Sequence, residues 1–189
     1  MRIILLILLL FVAGCDLLDT RDPEEPDTGR AGFNSATTPS ILFENLSNSF
    51  KDRLEENYYS CFADSLFIDD NFIFVPSAGA ISRYPVLADW DLDAEKQYFR
   101  QLLGTIDTES PVLLNFFDEE VTQIGDSAIY RYSYTITINS NDESLNEDYN
   151  GLSEYKIKRD NRNFWVITEW TDIKKDESPS WSELKGKYY

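Results

Sequence analysis

The chain has 189 residues, with 34 Asp and Glu against 17 Lys and Arg, a net charge of −17, and no histidine. So acidic a balance argues against nucleic acid and against lying flat on anionic lipid, both of which reward basic patches. Without an imidazole, Ser-His-Asp triads, histidine metal sites and imidazole acid–base catalysis are excluded.

Arg2 precedes an unbroken apolar run over residues 3–12. That run is too short to span a bilayer, which needs about 20 apolar residues. A basic start, a short apolar stretch and small residues at its end predict a cleaved export signal over residues 1–14. The residues at its end, Val12-Ala13-Gly14-Cys15, resemble the lipobox of bacterial lipoproteins. That resemblance implies a diacylated Cys15 that carries palmitate-type chains and holds the protein to a membrane of the bacterial cell envelope. The other reading of the leader is an ordinary export signal with an incidental cysteine. Each buried acyl CH₂ contributes about 0.8 kcal/mol, and stable anchoring takes two chains, which a diacylated cysteine supplies. Asp16, next to the cysteine, is compatible with inner-membrane retention or with surface export. With Cys15 as a thioether, Cys61 has no partner left for an intrachain disulfide.

Residues 15–38 change in composition: six acids stand against Arg21 and Arg30, with prolines between them. This predicts a self-repelling, disordered tether whose ends lie roughly 25–30 Å apart. A single folded domain is expected over residues 39–189.

Thr38-Pro39 is a helix-opening pair, threonine as cap and proline in the first turn. Leu42, Leu46, Phe50, Leu54 and Tyr58 then recur every four residues, predicting a buried helical face that reaches about residue 62 and is open to a break. Residues 72–75, FIFV, predict a buried strand ended by Pro76, and residues 78–90 a loop. Asp91 is placed to cap a further helix. Asp93 and Glu95 favour its positive end, Leu92, Phe99, Leu102 and Leu103 form its apolar stripe, and Gly104 ends it. Strands are predicted over 112–123, 127–139, 152–159 and 163–173, with tight turns at Gly125-Asp126 and in RDNRN. Alternation puts Tyr130, Tyr132, Tyr134, Ile136 and Ile138 on one inward face.

Helices first, a short strand, another helix and a long antiparallel meander resemble the nuclear-transport-factor-2-like superfamily, an α+β fold with N-terminal helices on a curved antiparallel sheet. The ending FWVITEWTDIKKDESPSWSELKGKYY is similar to that of lipoprotein members, through Trp165, Trp170, Trp181, Leu184, Gly186 and Tyr188. The alternative is another cystatin-type α+β fold. The resemblance implies a cone with a pocket, for which Tyr98, Tyr130, Tyr132, Tyr134 and Trp170 are the candidate lining residues. Enzymes of the superfamily place an acid–base residue in that cone, but the Tyr130–Ile138 face carries no acid.

Two further patterns are weaker. Asn146, Asp148, Asn150 and Gly151 imitate the start of a calcium loop, but Ile157 stands where the bidentate glutamate belongs. A solvated hairpin loop is expected there, and no metal or cofactor. Trp90, Trp165, Trp170 and Trp181 are candidates for stacking on a sugar. Trp165 and Trp170 are five residues apart, so an unbulged strand sends them to opposite faces. These readings lead to a lipid-anchored protein that binds a small ligand or an envelope protein without catalysis. The alternative is an anchored isomerase- or cyclase-like enzyme using pocket tyrosines and a carboxylate.

Overall fold

The computed structural model describes residues 33–189, so the expected leader, Cys15 and the expected tether up to residue 32 lie outside the described residues. The end of the expected tether is already docked: Asn45 Nδ2 donates to the Asn34 carbonyl at 2.6 Å, and the Trp165 N–H donates to the Ala36 carbonyl at 2.8 Å.

Helix α1 (Pro39–Asp52) begins as expected, with the Thr38 hydroxyl accepting from the Ile41 N–H, and it buries Leu42, Leu46 and Phe50. The break falls at Arg53, which takes a left-handed conformation (φ 57°) that L-residues adopt at a cost of about 1–2 kcal/mol. Long-range contacts hold it there. Its guanidinium donates to the Leu103 and Ile106 carbonyls at 2.5 and 2.8 Å. Helix α2 (Glu55–Tyr59) follows, and Tyr58 continues the buried stripe.

The next stretch departs from expectation. Strand β1 (Ile73–Val75) is an edge strand with only Phe74 turned inward, so Ile73 and Val75 are exposed. The predicted loop is instead α3 (Ala78–Arg83) and a 3₁₀ turn (Pro85–Asp89). Small residues hid the helix, whose one buried side chain is Ala80, and Pro85 separates the two turns. Helix α4 (Leu92–Thr105) is capped by Asp91, whose carboxylate accepts from the Ala94 N–H at 2.9 Å.

Strands β2 (Val112–Ile124), β3 (Ser127–Ile138), β4 (Glu147–Arg159) and β5 (Trp165–Ile173) form an antiparallel meander, and β1 joins its far edge in parallel with β5. Gly125, with φ +60°, makes the β2–β3 turn. Two irregularities curve the sheet, as bulges do. One is at Asp118 (φ 54°) in β2. The other lies in β5, where Ile167 pairs Ile157 while Glu169 pairs Lys156. The second leaves Thr168 as an extra residue. Trp165, Ile167 and Trp170 therefore share the inward face, against the unbulged expectation for the two tryptophans. Helix α5 (Trp181–Lys187) closes the fold through a capping box between Ser180 and Glu183.

Candidate functional site

The inward tyrosines of β3, the stripes of α1, α2 and α4, and the bulged β5 meet in the concavity of the sheet. Helix α5 fills it. The Trp181 indole is fully buried, 4.2 Å from Trp170 and 5.2 Å from Tyr134 between ring centroids. Its Nε1 donates to the Tyr98 hydroxyl at 3.2 Å, and its backbone N–H donates to the Tyr134 hydroxyl at 2.7 Å.

The five candidate lining residues fall into two groups. Tyr98, Tyr134 and Trp170 are wholly buried around α5. Tyr130 and Tyr132 lie toward the rim, stacked on one another and packed against Phe43. The Tyr132 hydroxyl donates to Glu119 at 2.5 Å.

Two carboxylates and a lysine escaped the sequence reading. Glu95 does not attend the helix dipole at the surface; it turns into the core and is fully buried. There it accepts from Tyr58, from the Trp90 indole N–H at 2.7 Å and from Lys185, with which it forms an ion pair. Asp172, also buried, accepts from Tyr134 at 2.6 Å and from the Ser182 N–H at 2.8 Å. A signal for the pair existed in the sequence. Glu95 shares a helical face with Tyr98, Phe99 and Leu102, and Lys185 with Trp181, Leu184 and Tyr188, so each is a charge on an apolar stripe.

Burial lowers the Lys185 ammonium from its ordinary 10.5 to about 8, against the opposing pull of Glu95. The Tyr58, Tyr98 and Tyr134 phenols are pushed well above 10 by burial first, then by the neighbouring carboxylates. Burial likewise raises the Cys61 thiol and keeps it a core residue. Glu95 and Asp172 are thus already engaged by the chain's own donors.

Open space lies outside this core. A groove of about 700 Å³ runs between β1 and the start of α4, beside Asn71, Ile73, Asp91, Asp93 and Lys96. A second, of about 520 Å³, lies between α1 and β2 over Phe43, Phe116 and Tyr132. Among the described residues no group of Cys, Asp and Glu is arranged to hold a metal ion, and no helix is long and apolar enough to cross a membrane.

No family model matches this chain, and no curated protein matches it in sequence. Solved structures do. A protein from Novosphingobium aromaticivorans assigned as a scytalone dehydratase is similar at TM-score 0.55 and 10% identity, over 75% of this chain and 88% of that one. The β subunit of benzoate 1,2-dioxygenase from Burkholderia mallei is similar at TM-score 0.54 and 16% identity, over 73% of this chain and 91% of that one. A nuclear-transport-factor-2-like protein of unknown function from Shewanella oneidensis is similar at TM-score 0.50 and 11% identity, over 70% and 93%. At such identities the likeness concerns the fold, and the fold is the nuclear-transport-factor-2-like α+β cone.

Proposed function

We propose that this chain is a lipid-anchored protein of the bacterial cell envelope whose cone-shaped domain binds a partner protein on its outer surface, without catalysis. The observation that carries the non-catalytic reading is the occupation of the cone by Trp181 and Lys185, both fully buried. A substrate would have to displace an indole and an ion pair before reaching Glu95 or Asp172. The surface grooves beside β1 and between α1 and β2 remain open to a partner. The anchor rests on Val12-Ala13-Gly14-Cys15, and the acidic stretch after it suits a spacer between bilayer and domain.

The fold hosts both kinds of work, since one structural neighbour is a subunit of an oxygenase and another is assigned as a dehydratase. One observation favours the enzyme reading: a carboxylate and two phenols, Glu95, Tyr58 and Tyr98, do gather in the cone. In that reading α5 would have to leave for turnover.

Native mass spectrometry of the mature protein, released gently from the envelope and compared with the denatured sample, separates the two. The expected result is a co-released protein and no small molecule. A small molecule freed only on denaturation would overturn the non-catalytic reading and identify the cone's ligand.

A further inference from the structure

Lys185 is more than one half of an ion pair. Its Nζ lies 3.8 Å from the Trp170 ring centroid and 4.0 Å from that of Phe74, with Tyr98 at 5.3 Å and Trp90 at 5.4 Å. Four rings around one ammonium form an aromatic cage, the arrangement by which proteins recognise alkylammonium ligands through the negative faces of the rings.

The cage belongs to the body of the domain, not to the helix that delivers the cation. Phe74 comes from β1, Trp90 from the segment before α4, Tyr98 and Glu95 from α4, and Trp170 from β5. Most of it is held by bonds that do not involve Lys185. The Trp90 indole and the Tyr58 hydroxyl fix Glu95, and the Trp170 indole donates to the Ser153 hydroxyl at 3.1 Å. Beyond Glu95, the titratable groups that bear on Lys185 are the Tyr98 phenol and the Asp172 carboxylate. Only α5, seven residues at the end of the described chain, carries the ammonium in.

We propose that Phe74, Trp90, Tyr98 and Trp170, with the Glu95 carboxylate, form a receptor for a primary alkylammonium ion, and that Lys185 is its ligand in cis. Helix α5 is then a tethered ligand, joined to β5 by the short polar segment 174–180. The site selects a cation on a slim apolar stem. It discriminates against a carboxylate of the same shape, which the Glu95 charge and the ring faces both repel. This inference builds on the occupied cone described above, but the outer-surface binding proposed there does not depend on it.

The test uses the full chain with Lys185→Ala, which leaves a cavity the size of the missing propylammonium stem, as buried cavities can bind small molecules that match them. The probes are n-propylammonium chloride, sodium propionate and sodium chloride as an ionic-strength control. The expected result is a saturable rise in Tm with n-propylammonium at neutral pH and no rise with propionate. Equal rescue by propionate, or no rescue by the ammonium in a folded variant, would overturn the proposal. Should Lys185→Ala fail to fold, ¹⁵N NMR of the wild-type Lys185 side chain decides. A slowly exchanging NH₃⁺ with ring-shifted methylene protons at neutral pH supports the cage, and a neutral amine overturns it. Neither outcome touches the partner protein sought by native mass spectrometry, so the two readings fail separately.

Discussion

A Cβ on Gly151 would stand 2.5 Å from the Tyr134 hydroxyl oxygen, its register partner across β3 and β4, and 2.9 Å from the Ile173 carbonyl. The absent side chain is what lets the phenol lie flat over the strand and reach both Asp172 and the Trp181 N–H. Gly151→Ala therefore loosens the seat of α5 as well as crowding the sheet. The expected loss is about 1–3 kcal/mol, the range for overpacking a filled core, measured by urea unfolding. Gly104→Ala is the control: nothing lies within 4 Å of its added Cβ, and in an exposed helical position it should stabilise by up to about 1 kcal/mol.

Much of the fold was legible because local chemistry and tertiary packing agree there. Thr38-Pro39 caps and opens α1, Asp91 caps α4, and the alternation from Tyr130 to Ile138 marks β3. What was not legible depends on distant partners. Arg53 adopts its left-handed turn because carbonyls some fifty residues away receive its guanidinium. Trp165 and Trp170 share a face because of a bulge at Thr168 that alternation does not announce. Glu95 stood at a position that a helix dipole already explained, so a surface role looked sufficient until Lys185 was seen against it, 90 residues further on. Tyr130, Tyr132 and Tyr134 were legible because they alternate along β3. The carboxylates were missed because each lies on an element whose other residues had simpler explanations.

Lys185→Met should cost about 3–5 kcal/mol in urea unfolding, because it leaves the Glu95 charge buried without its partner. The double variant Lys185→Met, Glu95→Gln should recover most of that loss, since a buried pair contributes little over apolar neighbours of similar volume. Glu95→Gln alone should be costly as well. If the two single losses simply added in the double variant, the residues would not be acting as a pair.

Cys15→Ala tests the anchor independently of everything inside the cone. The expected outcome is that fatty-acid labelling of the protein expressed in a bacterial host disappears, residues 1–14 stay uncleaved by the lipoprotein peptidase, and the protein no longer partitions with membranes. The fold and the unfolding midpoint of the domain should be unchanged, because Cys15 precedes the described domain. Fatty-acid labelling that persisted in the variant would refute the lipobox reading.

The ion pair also gives the domain an alkaline signature with a defined sign. Lys185 titrates near 8 in the folded protein against 10.5 for the unfolded chain, so between those values the unfolded chain binds more protons. Stability therefore rises as pH climbs from about 8 toward 10. Tyr58, Tyr98 and Tyr134 act in the opposite sense. Their folded values are raised above 10, so their contribution is complete below pH 10 and is lost as the unfolded tyrosines ionise above it. Unfolding free energy measured by urea at closely spaced pH values should rise from pH 8, turn over near pH 10 and then fall. Lys185→Met should abolish the rise and keep the fall, because methionine removes the Lys185 ammonium and leaves the phenols in place. A rise that survived in Lys185→Met would assign it to another group and leave Lys185 with an ordinary ammonium despite its burial.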